Sequence, residues 1–131
     1  MLSLEEAVRL HGHLGPWLVL GYKIGLRAVE LLGARSTDLF CTVYMPRRRP
    51  FTCALDGVQA ATGCTLGKLN IELREGGVRF VFERRDGKRV AFRLREGVPA
   101  LLEHLIGSLG AEEAARRILG MDLSELVEEG D

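Results

Sequence analysis

The dipeptide Asp86-Gly87 separates two segments of alternating polarity, Val78 to Arg85 and Arg89 to Arg95. Both turn residues tolerate positive φ, so the pair favours the tight connection between neighbouring antiparallel strands. Within the first segment Val78, Phe80 and Phe82 alternate with Arg79, Val81 and Glu83, so one face of the hairpin is expected to be buried. A chain committed to such a hairpin must cover that face, and the rest of the pattern supplies helices to do it.

Ser3-Leu-Glu-Glu6 matches a capping box and predicts a short helix to about Leu10. Gly12 and Gly15 then interrupt the pattern, and Pro16 suits the first position of a second helix that runs to Leu32 and ends at Gly33. Gly21 and Gly25 leave a flat strip on that helix for close packing, and a homodimer is expected to use it. Asp38 to Met45 reads as a strand, and Thr52 is placed to cap a helix from Cys53 to Thr62. Asn70 to Arg74 reads as a further strand, antiparallel with the hairpin. Two C-terminal helices, Val98 to Gly107 and Ala111 to Leu119, precede a short acidic tail. The order predicts one α+β domain over residues 1 to 131, with a mainly antiparallel sheet packed against helices.

Composition removes several function classes. Eighteen basic residues balance eighteen acidic ones, so no global charge draws the chain to nucleic acid or a membrane surface. No apolar run reaches the roughly 18 residues of a spanning helix, and the first residues lack a signal-peptide pattern, so a cytoplasmic location is expected. Three cysteines without CxxC spacing fit neither a disulfide framework nor a zinc finger.

The soft metal-ligand side chains are concentrated instead. Apart from Cys41 and His104, they lie in His11-Gly-His13 and in the stretch from Cys53 to Cys64. Imidazole and thiolate bind zinc and its neighbours well, so His11, His13, Cys53 and Cys64 are the candidate ligands. A straight helix from Cys53 to Gly63 would separate Cys53 and Cys64 by about 15 Å, too far for both to hold one ion within a single protomer. Cys53 opens its predicted helix, where the macrodipole is expected to lower the thiol pKa. Asp56, one turn on, could bind metal, orient a histidine or receive a proton, which makes Cys53 and Asp56 the candidate catalytic pair. The Gly63 to Lys68 turn could hold an anion, with Lys68 as the candidate cofactor-binding cation. Cys41 reads as core, His104 as surface or packing, Trp17 as packing with a lid as its second reading, and Arg47 to Arg49 as a solvated loop or dimer contact.

Two segments carry a resemblance: His11, His13 and Pro16, then Cys53, Asp56, Gln59, Thr62, Gly63, Cys64, Thr65, Gly67, Lys68 and Asn70. In content and order they resemble the core domain of the FmdE family, named for formylmethanofuran dehydrogenase. The resemblance is close over roughly the first seventy residues. It implies an α+β core, often homodimeric, with zinc or another divalent transition metal near the His and Cys residues. It also implies a link to a molybdenum or tungsten enzyme of methanogenesis as partner. Gly15 and Trp17 stand where the family has Cys and Gly, so no thiolate is available at position 15. With no cysteine after Cys64, the core domain alone is expected, without the C-terminal zinc finger that many members of the family append. Three readings follow: a metal-binding protein, a non-catalytic accessory component that has lost the site, and a cysteine-dependent enzyme.

Overall fold

The computed structural model describes residues 1–130. The first helix, α1 (Leu4–His11), has the expected capping box, with the Ser3 hydroxyl accepting from the Glu6 amide and the Glu6 carboxylate from the Ser3 amide. It runs one residue further than expected and ends at Gly12 in the left-handed conformation (φ 110°), which glycine adopts without a Cβ penalty. After Gly15, Pro16 opens α2 (Pro16–Leu32), closed by Gly33. Strand β1 (Leu39–Tyr44) leads through the arginine loop to α3 (Cys53–Thr62). Strands β2 (Ile71–Arg74), β3 (Arg79–Arg84) and β4 (Arg89–Leu94) follow, then α4 (Val98–Leu109) and α5 (Ala111–Gly120). The acidic tail, which carries no strand pattern, forms an edge strand, β5 (Val127–Glu129). Thr52 makes no side-chain cap, contrary to expectation; its backbone is already helical, which turns the hydroxyl away from the first amides.

The sheet has the order β2-β1-β3-β4-β5. The Asp86-Gly87 hairpin is present, with β3 and β4 antiparallel and Phe80 opposite Phe92. One expectation fails here: β2 is not antiparallel to the hairpin but parallel to β1, with Cys41 opposite Ile71 and Val43 opposite Leu73. A parallel neighbour needs a crossover, and α3 supplies it between β1 and β2. Strand β3 then takes the other side of β1. The result is an α+β fold with one mixed, mostly antiparallel sheet.

The inward side chains of the sheet, Leu39, Cys41, Val43, Phe80, Phe82 and Phe92, form one cluster with Leu20, Ile24 and Leu32 of α2, Val58 of α3, Leu102 of α4 and Ile118 of α5. The Phe82 and Phe92 rings meet edge to face with centroids 6.0 Å apart, a favoured aromatic geometry. Trp17 is packing rather than a lid: it is buried, its ring centroid 4.9 Å from that of Phe51, which Arg48 covers.

The glycine strip on α2 is consumed inside the protomer. A Cβ at Gly21 would stand 2.0 Å from the Ala54 carbonyl oxygen, and one at Gly57 would stand 2.2 Å from that of Leu18. The α2 and α3 backbones therefore touch through glycine on both sides. Tyr22 donates its hydroxyl to the Leu2 carbonyl (2.8 Å), and the Leu2 amide donates to Ala60 (3.0 Å), so the chain entering α1 is pinned to this helix pair. Lys23 ties α2 to α5 by donating to the Ile118, Leu119 and Met121 carbonyls at the end of that helix, where intrahelical donors run out.

Candidate functional site

The pinned α1 ends on His11, the left-handed Gly12 reverses the chain, and His13 returns beside it. The two imidazole centroids lie 4.8 Å apart, tilted by 38°. From α3, in contact with α1, the Asp56 carboxylate reaches His11: Nδ1 to Oδ2 is 2.6 Å. A carboxylate only accepts, so in this pairing Nδ1 is the donor, and in the tautomer that leaves the ring uncharged the lone pair is on Nε2. That Nε2 is buried and has no hydrogen-bond partner among the described residues. Buried polar atoms are nearly always paired, which singles out this ring nitrogen next to a second imidazole. The His11 side chain is 10% exposed and that of Asp56 39%, so the pair sits at the wall of the fold with its carboxylate toward solvent. Asp56 opens onto a hollow of about 360 Å³ lined also by Arg47, Leu55, Gln59 and Glu72.

Gln59, one turn further along α3, donates to the other Asp56 oxygen (3.4 Å) and accepts from the Leu66 amide (3.0 Å). It couples the carboxylate to the turn after α3, a role its spacing from Asp56 could have signalled through the i,i+3 rule. Thr62 and Asn70 are fasteners. Thr62 donates to the Val58 carbonyl and accepts from the Cys64 amide; Asn70 accepts from Thr65 and donates to the Ser36 and Leu39 carbonyls.

The four candidate ligands separate. His11 and His13 are adjacent, and Cys53 is half-buried one turn before Asp56 on α3. Cys64 stands apart. It is fully buried, with its thiol directed at the Ser36 and Leu39 carbonyls (3.8 and 3.7 Å) and against Cys41 in the core. Since α3 is one helix, Cys64 begins beyond its far end, about 15 Å from Cys53. Among the described residues, no three His, Cys, Asp or Glu side chains form a ready metal cluster. His104 is exposed on α4, and Lys68 is exposed, its ammonium donating to Thr65 Oγ1 (3.0 Å).

The expected activation of Cys53 is reversed. Burial and the Asp56 carboxylate push its thiol pKa up, outweighing the Arg49 charge and the backbone amides. Hydrogen bonding to Cys64 and burial push the Cys41 thiol up further. In the metal-free folded protein, Cys53 should therefore be alkylated by iodoacetamide more slowly than a free thiol at neutral pH, and Cys41 and Cys64 only after unfolding. Mass spectrometry of a labelling time course checks this; Cys64 labelling before Cys53 would contradict the burial order.

Comparison with known proteins places these residues in a family. The chain matches the family model described as "FmdE, Molybdenum formylmethanofuran dehydrogenase operon" over residues 10–129. It is also 30% identical to an Archaeoglobus fulgidus protein named "Probable S-adenosyl-L-methionine-binding protein", an alignment covering 88% of this chain. The chain spans only about a third of that relative, since the match takes in 35% of its length. The family match runs from the residue before the histidine pair to the last strand of the sheet, and on that extent the chain belongs to the FmdE family.

Proposed function

We propose that the chain binds a divalent transition metal, zinc being the expected ion, through His11 Nε2 and His13. Cys53 is the candidate sulfur ligand, and Asp56 is the carboxylate that fixes His11. The observation that carries this reading is the orphaned, buried His11 Nε2 with its opposite nitrogen held by Asp56. That carboxylate–imidazole arrangement is how metal-ligating histidines are oriented and made more basic. The donor chemistry fits an open site rather than a closed structural one, because two imidazoles and one thiol leave room for solvent or substrate. A metal held there supplies Lewis acidity toward a bound carbonyl or water. Asp56 orients His11 and can take a proton from the solvent side, while Gln59 keeps the carboxylate on the helix face. Cys64, among the ligands expected from sequence, is not part of this proposal. The raised thiol pKa of Cys53 weighs against an independent cysteine nucleophile.

Metal analysis of protein purified without a histidine tag, then titrated with zinc, tests the reading. About one equivalent, lost in His11→Ala and His13→Ala, is expected. Less than about a tenth of an equivalent, unchanged by added zinc, would refute it. Gly15 offers a gain-of-function variant. Its backbone is extended (φ −141°), and a Cβ there would lie 3.2 Å from His13 Nε2. Gly15→Cys should place a thiolate beside the pair and raise zinc affinity roughly tenfold or more; unchanged affinity would place the ion elsewhere.

The family's description supports association with a molybdenum enzyme system, and copurification from native extract is the direct check. The relative's name adds S-adenosyl-L-methionine as a ligand to try in the same titrations. A homodimer is also proposed, on grounds other than the glycine strip. Leu10, Leu66 and Leu69 are 58, 70 and 77% exposed at one end of the molecule, the first two lining a hollow of about 450 Å³ with Met1 and Leu2. Light scattering that gave the monomer mass at about 10 μM would reject it.

A further inference from the structure

A hollow of about 480 Å³, the volume of a small-molecule site, lies between the turn after α3, the start of β1 and the end of β3. It shares no lining residue with the histidine pair or with the hollow beside Asp56. Phe40, Lys68, Glu83 and Arg85 supply its chemistry. Phe40 alternates outward from the buried Leu39 and Cys41, and its ring is left 40% exposed on the sheet. Asn70 fastens the Lys68 turn to the segment leading into β1, with both ends of its amide committed, so Lys68 is held beside the Phe40 strand.

The cations around this hollow are not equivalent. Arg84 is spent, bound to Asp86 and to the Leu32 carbonyl. Arg85 uses only Nε, donating to the Thr37 carbonyl (3.0 Å), and no acceptor among the described residues meets its two terminal nitrogens. Lys68 meets a hydroxyl and, among the described residues, no carboxylate. Two positive groups therefore face the hollow with donors to spare. Glu83, opposite Phe40 in the ladder, adds a carboxylate with no cationic partner among the described residues.

From this set we infer a binding site for a nucleoside monophosphate. The base stacks on Phe40, the phosphate accepts from Lys68 Nζ and the Arg85 guanidinium, and Glu83 accepts from sugar hydroxyls or an exocyclic amine. Each element excludes a simpler ligand. A bare phosphate would meet the Glu83 charge without using Phe40, and an uncharged nucleoside would leave both cations unanswered. A polynucleotide lacks the broad positive field that drives its binding, since the formal charge of the chain is zero.

Calorimetry and amide NMR on the full chain test the site, with AMP, GMP, CMP and UMP as ligands and inorganic phosphate and adenosine as partial ligands. One nucleotide should bind saturably, shifting the amides of Thr37, Phe40, Lys68 and Arg85, with both partial ligands at least about tenfold weaker. Phe40→Ala should weaken it roughly tenfold, as loss of a base-stacking platform does. Lys68→Gln should weaken it by about fivefold and flatten its salt dependence, whereas Arg116→Gln, on the far end of the chain, should change neither. These are exposed side chains, and an unchanged melting curve confirms that each variant is folded. No saturable binding up to about 10 mM, phosphate equal to nucleotide, or full affinity in both site variants would overturn the assignment.

Discussion

Gly21→Ala should cost the protein a large share of its folding stability. The added Cβ would stand 2.0 Å from the Ala54 carbonyl oxygen and within 2.9 Å of its Cα, so it meets helix backbone rather than a side chain that can swing aside. Relief requires α2 and α3 to separate, and their contact is shared with Gly57, whose own Cβ would strike the Leu18 carbonyl and the Tyr22 amide. Overpacking against side chains typically costs about 1–3 kcal/mol, so a backbone clash should cost about 3 kcal/mol or more of a total near 5–15 kcal/mol. Urea denaturation measures it, and Gly67→Ala, with open space around it, is the control. The consequence extends to the site, because Cys53 and Asp56 ride on α3 while His11 and His13 flank the entry to α2. A Gly21→Ala protein as stable as the parent would mean that the two helices are not in backbone contact, and the histidine–aspartate geometry would fall with them.

The second large effect is on metal affinity. Asp56→Asn keeps the size of the side chain and removes its charge. The amide can still accept from His11 Nδ1 through its oxygen, but the electrostatic increase in imidazole basicity is gone. Loss of such a carboxylate behind a ligating histidine costs about 10–100-fold in affinity. Competition titration against a chromophoric zinc chelator reads this directly, with the melting temperature as a separate readout of folding. Asp56 is partly exposed, so the fold should survive the change. Equal affinity in parent and Asp56→Asn would remove the carboxylate from the metal reading and leave the pair a structural contact.

The alternation around Asp86-Gly87, the capping box at Ser3 and the Pro16 to Gly33 span each report on neighbours a few residues away, and each is found where the sequence places it. The strand Asn70 to Arg74 is legible as a strand but not in its partner. Whether it joins the hairpin or β1 depends on where α3 lies across the sheet, which no local pattern encodes. The same limit hides β5, a three-residue edge whose partner is β4, more than thirty residues earlier. At the site, His11, His13 and Asp56 can be nominated from residue chemistry and spacing, whereas the bond between His11 and Asp56 joins residues 45 positions apart.

Residue order alone determined the periodicities, the turn at Gly87, the α+β class and the two short stretches in which metal-binding chemistry could reside. Tertiary structure decided which of those side chains meet. It turned Cys64 into the core beside Cys41, pushed the Cys53 thiol pKa up through burial and the Asp56 carboxylate, and used the α2 glycines for α3 rather than for a second copy of the chain. The physical reason is range. Helix and strand propensities act over a few residues, but burial, desolvation and the approach of an imidazole to a carboxylate exist only once distant segments are packed together.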